Sequence, residues 1–478
     1  MEPDRERWYQ QRIAELEHQL RQRDERIAAL ERQVAQLAEQ VAKLSKNSSN
    51  SSKPPSSDIV KPPKPSKPKG KNRKRRRKIG GQPGHPKHER EPFGPDQVNR
   101  VRTYALPACP ACGGHLKPVK GVARVIQQVE IIERPIRITE YRGLRYWCPH
   151  CRKEHTAPLP RPVVKSGLAG PKLTALVAYL KGVCHASYST IRKYLRDVLK
   201  LTLSRGELAK LMNKASSALA GPYRALRDRL PHERRLNVDE TGHKENGNTL
   251  WTWCFRAEMF TLFKIDPSRG SNVLIDVLGR EFNGVLGCDY FSAYHKYMKD
   301  FDVAVQFCLA HLIRDVKFLL TLTDKVTRNY GRRLLDALRK LFRVIHRREK
   351  MTTEQFQRAL ERARNQVLKV GRRAPPRSKA RNLADRLRKH GDAYFRFITT
   401  PDVEPTNNLA EQAIRFVVID RRITQGTRSE RGRQWCERIW TMIATCTQQG
   451  RSVFEYLRDV ITAHLHGKPI PLLISTKP

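Results

Sequence analysis

Short apolar runs that end in acids constrain this chain more than anything else in it. In Arg235-Leu-Asn-Val-Asp-Glu-Thr-Gly-His243, Leu236 and Val238 lead into Asp239 and Glu240, and Thr241-Gly242 then predicts a turn. Residues 249–255 and 259–265 follow, rich in aromatic and β-branched side chains, and read as strands. Phe282-Asn-Gly-Val-Leu-Gly-Cys-Asp289 is another apolar run closed by an acid. Far downstream, Pro405-Thr-Asn-Asn-Leu-Ala-Glu411 puts a third acid near the start of a helix. Acids at the tips of two strands and on a helix can converge on a divalent metal. The pattern predicts a metal-dependent nuclease core beginning near Arg235.

The charge balance names the partner class. Lysine and arginine number 93 against 47 acids in 478 residues, a net charge of +46. So large a surplus is tolerable beside a polyanion, and nucleic acid is the expected one. No secretory signal and no run of 18 apolar residues is present, so a soluble, cytoplasmic, nucleoid-associated protein with no membrane contact is expected.

Ahead of the core the chain reads as a series of modules. Residues 1–45 carry heptads: Ile13, Leu20, Ile27, Val34 and Val41 at one seam position, Leu16, Leu30, Leu37 and Leu44 at the other, with Arg23 the single break. That pattern favours a parallel coiled coil, hence a homodimer or higher oligomer; the alternative is an amphipathic helix packed on its own chain. Residues 46–93 form a polar, proline-rich basic linker. From Lys61 to Lys78, 11 of 18 residues are Lys or Arg, ending in Arg73, Lys74, Arg75, Arg76, Arg77 and Lys78, an arm suited to DNA phosphates.

Residues 94–163 hold Cys109-Pro-Ala-Cys112 and Cys148-Pro-His-Cys151, the two thiolate knuckles a tetrahedral structural Zn²⁺ requires. Residues 125–132 and 136–146 between them read as strands, and His115, His150 and His155 are substitute ligands. Residues 164–230 read as three helices, 171–182, 187–199 and 204–219. The join at 200–206 resembles a helix-turn-helix reader, though small helical domains often share it. The core spans 231–323 and resumes at 401–430, around a helical insertion at 324–400; residues 431–478 read as closing helices. His311 and Arg314, in Cys308-Leu-Ala-His311-Leu-Ile-Arg314, are accessory candidates for orienting phosphate. Arg428 and Arg431 lie in a basic loop suited to DNA.

Several of these motifs occur together in one family. Asn47-Ser-Ser-Asn-Ser-Ser-Lys-Pro-Pro-Ser-Ser-Asp58, Gly80-Gly-Gln-Pro-Gly-His85, the paired Cys-x-x-Cys, Asp239-Glu-Thr241, Cys308-Leu-Ala-His311 and Asn407-Asn-Leu-Ala-Glu411 resemble bacterial insertion-sequence family sixty-six Asp-Asp-Glu transposases. The resemblance implies an α/β ribonuclease-H-like catalytic domain with an all-α insertion, joined to a coiled coil, a zinc-binding β module and a helical DNA-binding domain. It implies Asp239, Asp289 and Glu411 as a catalytic triad holding Mg²⁺ or Mn²⁺. It also implies double-stranded DNA, both transposon ends and target, as partner, with accessory transposon-encoded proteins in reserve. Gln412 stands where the family has Arg, and Asp289-Tyr-Phe replaces a more usual Asp-Gly-Tyr; neither removes a carboxylate. A non-catalytic DNA-binding repressor derived from such an enzyme is the alternative.

Within the triad, Glu240 is set aside because strand neighbours face opposite ways. Asp276 and Asp315 are fallback ligands. Glu411 carries two readings, metal ligand or helix cap, since Asn408-x-x-Glu411 resembles a capping box and Arg415 lies four residues on.

Overall fold

A computed structural model describes residues 2–44, 46, 92–101, 111–112, 127, 135–148, 150 and 153–474. The chain divides into two compact units, one of residues 64–140 and one of residues 1–63 with 141–478. In the smaller unit, the Gln127 side chain bridges the amide and carbonyl of Phe93 at 2.6 and 2.9 Å. Apart from Gln127, the expected strand at 125–132 lies outside the described residues, as do the basic arm Arg73–Lys78, Cys109, His115 and Cys151.

The larger unit opens with α1 (Glu2–Leu44), the single helix the heptads call for. Its seam residues, among them Ile13, Leu20, Ile27 and Leu37, are exposed along the single chain. A two-stranded antiparallel ribbon follows, β1 (Arg145–Cys148) with β2 (Lys153–Thr156). The strand expected at 136–146 begins only at Arg145; residues 135–144 have no regular structure.

The helical module is α2 (Arg161–Ser166), α3 (Pro171–Gly182), α4 (Tyr188–Leu199), α5 (Arg205–Ala218) and α6 (Ala220–Arg229). Pro171 opens α3, where a missing N–H costs nothing. Ser187 and Ser204 cap α4 and α5, each hydroxyl accepting the amide three residues on at 3.0 Å. Helix α5 is packed on α3, α14 and α15 through Leu208, Leu211, Met212 and Ala215. Helix α4 buries Ile191, Leu195 and Leu199 and exposes Arg192, Lys193 and Arg196, while α5 exposes Arg205 and Lys210.

The centre is a five-stranded sheet of β3 (Arg235–Glu245), β4 (Asn248–Arg256), β5 (Thr261–Asp266), β6 (Val285–Cys288) and β7 (Ala304–Phe307). Its order is β5-β4-β3-β6-β7, with the first three antiparallel and β3, β6 and β7 parallel. The crossovers are α7 (Asn272–Leu278) and α8 (Ser292–Phe301). After β7 come α9 (Leu309–Leu319), then the helices of the 324–400 region, α10 (Lys325–Ile345), α11 (Thr353–Arg372) and α12 (Ser378–Thr399). Helices α13 (Asn408–Thr424), α14 (Glu430–Gln448) and α15 (Val453–His466) close the unit.

One expectation is overturned at β3. Thr241-Gly242 does not turn, and Asp239 and Glu240 lie mid-strand rather than at a tip. The turn comes at Asn246-Gly247, both at positive φ (48° and 87°), the geometry of a two-residue hairpin that Asn-Gly favours. Burial along β3 changes face at the acids: Leu236 and Val238 are buried before them, Thr241 and His243 after.

The sheet edge at β5 is sealed by side chains. Thr445, Thr441 and Glu437 of α14, spaced one turn apart, accept the amides of Thr261, Phe263 and Ile265 at 3.2, 3.0 and 2.7 Å. Alternate edge amides that would otherwise template another strand are thereby satisfied.

Candidate active site

Register brings two of the acids side by side. Asn237 pairs with Gly287 across the parallel β3–β6 ladder, so Asp239 and Asp289, each two residues on, stand at the same level of neighbouring strands. Such strands are about 4.8 Å apart. Each carboxylate accepts one local amide: Asp239 Oδ1 from Glu240 at 3.0 Å and Asp289 Oδ1 from Phe291 at 3.0 Å.

Glu411 reaches the site from α13. Its helix is seated by Asn407, 1% exposed, whose Nδ2 donates to the Val238 carbonyl at 2.7 Å and whose Oδ1 accepts from Asn237 at 3.0 Å. The odd-numbered face of β3, which carries Asp239, therefore looks toward α13. Farther along it, Thr241 accepts from Arg421 of the same helix at 3.1 Å.

The capping reading of Glu411 is not what this geometry uses. The cap position is Asn407, with no side-chain cap bond, and the Glu411 carboxylate turns to α9. Arg314 Nη2 donates to its Oε2 at 3.3 Å, where Arg415 had been expected to pair. His311 Nδ1 lies 3.6 Å from its Oε1. Arg314 Nη1 in turn lies 3.1 Å from His311 Nε2. Both accessory candidates thus stand on the third acid.

Glu240 points to the other face, as strand alternation requires. Its side chain, 2% exposed, accepts from the Tyr294 hydroxyl at 2.6 Å and from Arg269 Nη2 at 2.7 Å. Arg269 lies over the Trp251 and Phe291 rings. Asp276 is drawn off to Arg227 and Lys264, and Asp315 to Arg386 at 2.7 Å. The fallback ligands are therefore engaged in ion pairs of their own.

The electrostatics follow from this convergence. Burial, then the charges of Glu240, Asp289 and Glu411, push the Asp239 carboxyl well above the usual range. Burial and Glu240 push Asp289 up to about 7, against the pull of the Phe291 amide, Arg269 and Arg386. Burial first, then Arg314 and Arg386, lower His311 to about 3, so its ring is neutral at pH 7. Three acids crowded at low exposure, an Asp239 carboxylate with no cation beside it, and a Glu411 Oε1 buried with no hydrogen-bond partner suit a divalent ion. Mg²⁺ fits the residues present.

Two contributors escape a reading of motifs. Arg386 comes from insertion helix α12, stacks over Tyr290 next to Asp289, and contacts the Tyr394 hydroxyl as well as Asp315. Asn407 was legible only as the first residue of the Asn407-Asn-Leu-Ala-Glu411 motif. The basic loop at 426–432 is docked on β3 through Thr427, whose amide donates to the Lys244 carbonyl at 2.8 Å. Gly426, at φ 90°, is required there, because a Cβ would stand 2.1 Å from that carbonyl oxygen. Arg428 is exposed on the loop and Arg431 in the first turn of α14.

Of the zinc candidates, Cys112 is exposed, and Cys148 ends β1 at the turn of its ribbon. Among the described residues no helix is long and apolar enough to cross a membrane.

The sheet and its three gathered acids fit a metal-assisted enzyme, and sequence comparison names the family. Residues 166–435, more than half of the chain, match the model described as "Transposase IS66 family". The chain belongs to that family. Residues 107–152, spanning all four knuckle cysteines, match "zinc-finger binding domain of transposase IS66", and residues 2–91 match a family of unknown function. A relative from Sinorhizobium fredii, "Uncharacterized protein y4hP", is 23% identical over 392 residues, covering 74% of this chain and 70% of its own. The chain is accordingly a DNA-binding transposase with a zinc-finger region.

Proposed function

We propose that this transposase binds the terminal inverted repeats of its element, cleaves DNA there, and joins the freed 3′-hydroxyls to target DNA. The observation that supports the reading is the convergence of Asp239, Asp289 and Glu411, from two parallel strands and a helix, in one site where their charges act on one another. The strand order, three antiparallel strands followed by two parallel ones, supports a ribonuclease-H-like core. Asp239, Asp289 and Glu411 would hold Mg²⁺ or Mn²⁺, which when bound activates the attacking oxygen and stabilises the leaving 3′-oxygen. The protein's own part is to fix the three carboxylates and the phosphodiester beside them. It also lays the DNA backbone along Arg428, Arg431 and, by sequence, the Arg73–Lys78 arm.

Zinc held by Cys109, Cys112, Cys148 and Cys151 would be structural; its support is the spacing of the knuckles and the family match. The uncovered seam of α1 supports pairing with a second copy.

The test uses full-length protein and labelled duplexes carrying the element's ends. The parent is expected to nick and join DNA with Mg²⁺ or Mn²⁺ and to stop in EDTA. Asp239→Asn, Asp289→Asn and Glu411→Gln should each bind ends yet leave them uncut. A parent that binds the ends but never cuts them with either metal would instead be a DNA-binding repressor.

A further inference from the structure

Cys308, His311 and Glu411 offer donor atoms within 4.8 Å of one another, close enough to suggest a second metal site. The hydrogen bonds argue against it. Arg314 Nη1 is 3.1 Å from His311 Nε2. A guanidinium can only donate, so Nε2 must be the acceptor and the ring's one proton sits on Nδ1. A protonated Nδ1 has no lone pair for a metal. Cys308 Sγ is also engaged, accepting the Asn407 amide at 3.1 Å.

What remains is an unmatched pair. His311 Nδ1 carries a proton and Glu411 Oε1 a lone pair; both atoms are buried and neither has a hydrogen-bond partner. They face each other across 3.6 Å, a few tenths of an ångström beyond a hydrogen bond. Leaving both unpaired is costly, and closing the gap satisfies both.

We infer that His311 is a positioning residue, whose Nδ1–H donates to Glu411 Oε1 and aims that carboxylate at the metal it shares with Asp239 and Asp289. Arg314 sets the tautomer through Nε2 and holds the second oxygen of Glu411 through Nη2. Each carboxylate oxygen has two lone pairs, so one on each is left for the metal. Cys308-x-x-His311 places the ring on the first turn of α9, whose Leu309 amide donates to the Pro405 carbonyl at 3.0 Å, just before α13. A ring 8% exposed, with Nε2 on Arg314 and Nδ1 facing Glu411, is placed to hold that carboxylate.

The inference rests on Glu411 being a metal ligand, and the experiment separates the two. Mn²⁺ affinity is measured by paramagnetic resonance on zinc-loaded, full-length protein without DNA. His311→Leu should bind Mn²⁺ roughly tenfold more weakly, the usual effect of removing a ligand's hydrogen-bond partner. His311→Asn, whose amide nitrogen stands near Nδ1, should recover most of the affinity. His311→Gln, whose amide stands near Nε2, should not, and this pair decides the matter if the leucine variant fails to fold. Equal affinity in the Asn and Gln variants, or parental affinity in His311→Leu beside weakened binding in Glu411→Gln, overturns the positioning role alone. Parental affinity in Glu411→Gln overturns the ligand reading and the inference together.

Discussion

Asn407 Nδ2 donates to the carbonyl of Val238 across 2.7 Å, tying the start of the Glu411 helix to the strand one residue before Asp239. The same side chain accepts from Asn237, and the backbone N–H of Asn407 donates to Cys308 Sγ. One buried amide therefore sets the spacing of two of the three acids.

Asn407→Ala should cost about 1–3 kcal/mol for each buried group left without a partner, Val238 O and Asn237 Nδ2. Strand cleavage should fall further than end binding, because the acids separate while the DNA track remains. Calorimetric melting together with a nicking assay checks this. A variant as stable and as active as the parent would mean that α13 is seated by its apolar face alone.

Thr441→Val should destabilise the protein by about 1–3 kcal/mol, since it orphans the Phe263 amide on the edge strand. Thr441→Ser keeps the hydroxyl and should lose less. Equal midpoints for Val and Ser in urea unfolding would show that the edge amide finds water instead.

His243 is 2% exposed, and burial, then Arg421 and Arg433, lower its pKa to about 4. Between the ordinary value of about 6.5 and about 4, the unfolded chain takes up a proton that the folded chain refuses. Stability is thus fully present above that window and lost as the pH falls through it. His243→Gln should flatten this acid loss while keeping a bond to Thr427, which His243 Nε2 meets at 3.1 Å. Parallel stability–pH curves for the two proteins would exclude His243 as the source.

Zinc analysis of the purified chain should return one ion, lost in Cys148→Ser. A cysteine-to-serine variant that folds normally and a parent without zinc would reassign the knuckles.

Removing residues 1–45 should shift full-length protein from a dimer or larger assembly to monomer in sedimentation. It should weaken paired-end assembly more than single-end binding. If both chains sediment as monomers, the seam of α1 packs within its own chain.

Local patterns that repeat were legible from sequence alone. Heptads gave α1, and the helices at 171–218 fell within a residue or so of expectation, because apolar periodicity and serine caps act over one or two turns. Asp289 was readable as the acid at a strand end. Partner choice was not legible. Thr241-Gly242 looked like a turn, yet Asn246-Gly247 turns the chain, since a Thr buried under α13 gains more in a strand. Glu411 looked like a cap with Arg415 beside it, but α9 presents Arg314 and His311 to it from 97 and 100 residues away. The sequence by itself determined the family, the helices, the knuckles and the carriers of acid charge. Which face each acid points to, and which buried donor meets it, only the packing of α9, α12 and α13 on the sheet decided, because unpaired polar groups are expensive only once water is gone.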